Sequence, residues 1–309
     1  MAKLLPPRPH YAKERALYPY PILAAFLLLF VARIADRFLG IDLGTPGNAV
    51  LLSVVVFLLP SLLFIRARGR GYAATLRLHR PYATHIPVVI CAFFVIFSGT
   101  ALLSILFGGT SSLGNSTAVF EKMAPSGLLS ALWMAPVFAI LPAVVEELLF
   151  RGVLCTELDR RGMLRTVLVG SLLFALIHFD LANLPVYFFA GVILTLVLYA
   201  TDSLIATMIL HGAYNLLSLF GQRYLNAFYA FTGSIELFLF FLVLVLLLSL
   251  FFFTRECARL YRLRAQQTQR SPRRDIPGNV QLYTMLDALC EWPVLLCMAL
   301  SIAGFILFA

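Results

Sequence analysis

HIPVVICAFFVIFSGTALLSILF, residues 85–107, runs without a single lysine, arginine, aspartate or glutamate. At about 1.5 Å per residue, a helix of that length covers the roughly 30 Å hydrocarbon core of a bilayer. Read outward from this stretch, the same pattern recurs at 21–41, 48–65, 127–152, 164–179, 184–200, 203–220, 235–253 and 288–309. The chain has 309 residues, 61% of them hydrophobic and 13% charged, with a mean hydropathy of +0.91. Such values lie far from a soluble domain and imply an all-α, polytopic transmembrane helix bundle of about eight to nine spans. Arg33, Asp36 and Arg37 interrupt the outer end of the first span, which reads as a signal anchor.

The formal charge of +9 reports topology and not a nucleic-acid partner, because the basic residues fall on one side. Lys3, Arg8, Lys13 and Arg15 precede the first span; Arg66, Arg68, Arg70, Arg77 and Arg80 separate the second and third; Arg160, Arg161 and Arg165 separate the fourth and fifth. Arg255, Arg259, Arg262, Arg264, Arg270, Arg273 and Arg274 fill the segment before the last span. The alternate loops carry only Lys122 and Arg223. Nine spans then put the N-terminus in the cytoplasm and the C-terminus outside, and suit a bacterial cytoplasmic (inner) membrane.

No internal repeat or low-complexity tract interrupts the bundle. Its divisions are a leader with three spans over 1–125, a core over 126–220, an eighth span over 221–254, and a basic cytoplasmic linker with a ninth span over 255–309. Asn115-Ser116-Thr117 matches a glycosylation sequon, a triplet common by chance. Cys91, Cys155, Cys257, Cys290 and Cys297 form no CxxC pair and read as packing residues.

Within the core, AVVEELLFRGVL, residues 143–154, places two carboxylates and a guanidinium in an apolar helix. Each costs at least about 2.5–3.5 kcal/mol at the centre of a span, so each needs a partner, a wet cavity or a function. Glu147 and Arg151 are four residues apart and share a face, whereas Glu146 and Arg151 are about 140° apart. Arg151 therefore pairs with Glu147, and Glu146 points elsewhere. Pro136 and Pro142 remove backbone hydrogen bonds upstream and kink the span. The next spans add Phe174 with His178 and His211 with Asn215, again four residues apart. Singly, such residues are more often packing groups. Together, Glu146, His178, His211 and Asn215 make a set that can activate water and stabilise charge.

The motifs EExxxR (Glu146, Glu147, Arg151), FxxxH (Phe174, His178) and HxxxN (His211, Asn215), in this order, resemble those of the type II CAAX prenyl protease family. This family is also called the CPBP or ABI family of intramembrane proteases, and the resemblance covers about residues 126–220. It implies an intramembrane endopeptidase acting on a membrane-anchored protein or peptide, whether by CAAX-type C-terminal processing or a related cleavage. In that reading Glu146 with His178 activates a water, His211 and Asn215 hold the oxyanion, and Glu147, Arg151 and Phe174 support them. No cofactor is favoured. A closed zinc site is not indicated, since HExxH is missing and asparagine is a poor zinc ligand, but Glu146, His178 and His211 are the residues that would bind zinc with an open position. Two readings of another class compete: a non-catalytic membrane binding or immunity scaffold, and a proton-coupled transporter, for which the chain lacks inverted repeats.

Overall fold

The computed structural model describes residues 17–43, 45–69, 71–108, 133–159, 162–268 and 278–308. The basic leader (Lys3, Arg8, Lys13, Arg15), Arg70, Asn115 to Lys122, Arg160, Arg161, Arg270, Arg273 and Arg274 lie outside them. The described residues are helical and contain no strand. The helices are α1 (Pro19–Leu39), α2 (Pro46–Arg68), α3 (Ile86–Gly108), α4 (133–158), α5 (Met163–Leu176), α6 (Leu184–Thr201), α7 (Leu204–Phe220), α8 (Gln222–Thr232), α9 (Ile235–Thr268), α10 (Gly278–Leu289) and α11 (Trp292–Leu307).

Four of these are long and apolar enough to cross a membrane: Pro46–Arg68, Ala83–Phe107, Leu184–Thr201 and Ile235–Leu263. Two bent pairs raise the number to six, with α7 turning by 65° into α8 and α10 turning by 66° into α11. The protein is an integral membrane protein, and its described helices do not clearly present the eight to nine spans expected from hydropathy. α1 carries Arg33, Asp36 and Arg37 in its last two turns, α4 carries Glu146, Glu147, Arg151 and Glu157, and α5 has only 14 residues.

Two segments that read as connections in the sequence are also helical. The basic linker expected over 255–282 begins as the continuation of α9, which runs unbroken for 34 residues to Thr268. Arginine, leucine, alanine and glutamate are all good helix formers, so charge alone does not end the helix there. The stretch QRYLNAFYAFT, expected as a loop, forms α8 and leaves Tyr224 and Phe231 exposed.

Two apolar clusters hold the bundle together. One joins α1, α2, α4, α5 and α11 through Ile22, Phe26, Val56, Leu149, Leu173 and Cys297; the other joins α3, α6, α7 and α9 through Val95, Leu194, Leu210 and Phe253. α5 and α6 lie where the two meet, and small residues let them approach closely. A Cβ added at Gly191 would lie 3.0 Å from the Cβ of Ser171 and 3.1 Å from its Cα. α11, an appendage to the core by hydropathy, packs along α1, and its Ser301 hydroxyl donates to the Leu176 carbonyl at 3.2 Å.

The described arginines of the basic segments gather at one end of the bundle. Arg68 pairs with Glu157, Arg77 with Asp159 at 2.9 Å, and Arg259 donates to the Thr84 carbonyl at 2.8 Å. Arg165, fully buried, reaches the Tyr18 hydroxyl at 3.3 Å. The loop before α3 is stitched to the start of α7, where Leu204 N–H donates to the Arg77 carbonyl at 3.0 Å and the Ser203 hydroxyl to the His79 carbonyl at 2.6 Å.

The Gly191 contact is directly testable. Gly191→Val should overpack the α5–α6 seam and cost about 1–3 kcal/mol, seen as a lower Tm of the detergent-solubilised protein. An unchanged Tm would mean that the two helices are not in such close contact.

Candidate active site

α4 is not a regular helix. Pro136–Ile140 and Leu148–Leu154 are π-helical turns on either side of Leu141–Glu147, and Pro142, which has no N–H, follows the first. Widened turns of this kind accommodate a missing donor and leave carbonyls in need of partners. Asn215 supplies one: its side-chain N–H donates to the Ala139 carbonyl at 3.2 Å. The kink expected from the prolines and the position of Asn215 thus share one turn.

The two adjacent glutamates separate as their helical positions require. Glu147 has no exposed side-chain surface and accepts from Arg151 Nη1 at 2.8 Å. The other guanidinium nitrogen, Nη2, donates to the Gly191 carbonyl at 3.1 Å, and the guanidinium carbon sits 4.3 Å from the centre of the Phe174 ring. Hydrogen bonds and a cation–π contact together offset the cost of burying this charge. Glu146 keeps 15% of its side-chain surface exposed and lines a cavity of about 280 Å³.

His178, His211 and Asn215 line the same cavity, with Pro142, Tyr187 and Tyr214. The four residues expected to carry the chemistry are therefore together, from three separate helical segments. Phe174 explains the FxxxH spacing: its carbonyl accepts from His178 Nδ1 at 2.8 Å. That bond leaves His178 Nε2 without the proton in the neutral ring, so Nε2 is an acceptor. The imidazole stacks on the Tyr187 ring at 3.8 Å between centroids and 13° between planes.

His211 differs from expectation in its partner. Its Nδ1 lies 2.9 Å from Glu147 Oε1, so Glu147 bridges Arg151 and His211 and does more than hold its own helix. Nε2 is then the nitrogen turned to Glu146, at 4.0 Å from its Oε2. Spacing could not reveal this contact, because the two residues lie on different helices.

Sequence reasoning also missed Tyr187 and Phe179. The only signal for Tyr187 is a hydroxyl-bearing ring in an apolar span. Phe179, three residues past the end of α5, lies in the left-handed region, with φ +51°, which is unfavourable for a bulky side chain. Phe26, Phe30 and Phe308 hold its ring edge-on at 5.8–6.0 Å, and Gly304 leaves the room that a side chain would take. α1 and α11 thereby fix the residue next to His178.

Among the described residues, no group of three or more His, Cys, Asp or Glu is arranged to hold an ion. Nδ1 of both histidines is held by the protein, which leaves Nε2 of each free of that bond, as in histidines that ligate metals. All five cysteines are free thiols.

The motif-bearing segment matches a family model described as type II CAAX prenyl endopeptidase, Rce1-like, over residues 128–217. These residues form an Rce1-like domain. The family is one of proteases, and the matched segment contains every cavity residue named above as a candidate for chemistry. No curated protein and no solved structure matches the chain. The Rce1-like domain takes in α4 from its start through most of α7, whereas the helices that cage Phe179 lie outside it.

The differing environments of the two glutamates predict different costs of removal. Glu147→Ala strands Arg151 as a buried charge and should cost about 3–5 kcal/mol of stability. Glu146→Ala, at the cavity wall, should leave Tm nearly unchanged. Equal losses in thermal unfolding of the two purified variants would contradict this division.

Proposed function

We propose that the protein is an intramembrane endopeptidase that hydrolyses a peptide bond of a membrane-tethered or lipid-modified substrate by water attack. The observation that carries this reading is the convergence of Glu146, His178, His211 and Asn215 on one cavity, inside a segment matching a protease family. Glu146, with His178 Nε2 as a second acceptor, takes a proton from water as the oxygen bonds to the scissile carbon. Asn215, its amide oriented by the Ala139 carbonyl, and His211 through Nε2 face the oxyanion. For Nε2 to donate, the His211 ring carries both protons, and Glu147 is its counter-ion at Nδ1. Collapse of the tetrahedral intermediate breaks the C–N bond, and protonated Glu146 returns its proton to the leaving amine.

Zinc would be held by the same cavity residues, Glu146, His178 and His211, and would supply a water-polarising Lewis acid; we favour the metal-independent route, in which Asn215, a poor zinc ligand, has a role. Each proton transfer in that route begins and ends on the chain's own side chains, the water or the substrate. The gathering of the basic segments at one end supports a bundle oriented with that end in the cytoplasm, as in a bacterial inner membrane.

Cells making the wild-type protein and cells making Glu146→Gln at equal abundance should differ in their membrane-protein termini by mass spectrometry. A terminus present only with the wild type is expected, since loss of a general base costs about 10²–10⁴ in rate. Matching profiles would favour the non-catalytic scaffold. With a cleaved peptide in hand, Asn215→Ala should lower kcat by about 10²–10³. A change confined to KM would remove Asn215 from the oxyanion role.

A further inference from the structure

His178 lies two residues past Leu176, the end of α5, so regular helix geometry does not set its side chain. One hydrogen bond, from Nδ1 to the Phe174 carbonyl at 2.8 Å, holds the imidazole at a single atom. The torsion that turns a histidine ring is intrinsically broad. A ring held only at Nδ1 can therefore still tilt about the line from Cβ through that atom, and the tilt swings Nε2. A second contact has to fix the plane.

Tyr187 makes that contact. Its ring lies face to face with the imidazole, 3.8 Å between centroids and 13° between planes, while Phe174 meets the same imidazole edge-on at 5.2 Å and 73°. Every other ring pair in contact among the described residues is tilted or edge-on. Ordinary packing in this bundle thus does not stack rings, and the pair at His178 departs from it.

The chain on both sides of the stack builds it. Asp180 accepts from the Asn183 backbone N–H at 3.1 Å and from its side-chain amide at 2.7 Å, closing the short turn between α5 and α6. Tyr187 N–H then donates to the Asn183 carbonyl at 3.0 Å, so the turn returns residue 187 to residue 178, nine positions earlier. One turn further along the same face of α6 comes Gly191. A Cβ there would lie 3.0 Å from the Cβ of Ser171 and 3.3 Å from the Phe174 ring, so the glycine permits the close approach of α6 to α5 that a 3.8 Å stack requires.

We propose that Tyr187 is a positioning residue: its ring, and not its hydroxyl, holds the His178 imidazole in the plane that turns Nε2 to the water beside Glu146. The proposal rests on the proteolytic reading of Glu146 and His178. Tyr187 acts through His178 and exchanges no proton.

The stack can be read without turnover, by NMR of the full-length protein in detergent with isotope-labelled histidine and the His178 signals identified by their loss in His178→Gln. The His178 ring protons should lie upfield through the ring current of Tyr187. Tyr187→Phe should keep that shift, and Tyr187→Leu and Tyr187→Met should both lose it, either sufficing if the other folds poorly. With a cleaved peptide in hand, Tyr187→Leu should lower kcat by about 10–10² with KM little changed, because a displacement of about 1 Å costs up to about 10² in rate. Tyr187→Phe should recover most of that loss. Unchanged His178 signals or unchanged kcat in Tyr187→Leu, a loss confined to KM, or equal losses in the Phe and Leu variants would each overturn the proposal, the last by assigning the role to the hydroxyl. The upfield shift in a wild-type protein that cleaves nothing would overturn the proteolytic reading and the catalytic use of the stack with it. An active wild type without the shift would overturn the positioning role alone.

Discussion

A single buried carboxylate organises this protein. Glu147, with no exposed side-chain surface, receives Arg151 from its own helix and His211 from α7, and Arg151 extends the connection to the Gly191 carbonyl of α6 and the ring of Phe174 in α5. Four helical segments are thus tied at one point in an environment where an unpaired charge is costly. The same constraint that holds the helices in register also turns His211 so that Nε2 meets the cavity. Structure and chemistry have one origin in this bundle: the need to neutralise charge inside an apolar interior.

Adjacent to this knot, Glu146 shows how one residue of helical rotation changes a carboxylate's role. Glu147 Oε1 is shared by Arg151 and His211, whereas Glu146 lies on the cavity wall beside His211 and keeps some exposed surface. The π-helical turns on either side adjust the helix to this division. They absorb the prolines and present the Ala139 carbonyl to Asn215.

Much of the site is legible in the sequence because it is written at i, i+4 spacing, which helix geometry converts directly into a shared face. The Glu147–Arg151 pair and the FxxxH hydrogen bond are contacts of this kind. The His211–Glu147 bond is not, since it joins residues on separate helices, and no local pattern encodes it. Hydropathy finds the apolar helices, of which four to six among the described residues are candidate spans. It cannot see that α5 stops at Leu176, three residues before a left-handed Phe179. Nor does it show that α8 and the end of α9 are helical, because polar and basic residues lower hydropathy without lowering helix propensity.

The caging of Phe179 carries a consequence for how the protease-like segment can be transplanted. The backbone that presents His178 is pinned by aromatic rings of α1 and the end of α11, which lie at the two ends of the sequence and outside the matched residues 128–217. Those helices act as a splint: a core cut to the matched residues would keep its motifs without the rings that hold the residue next to His178. Modularity in sequence is therefore not modularity in mechanics.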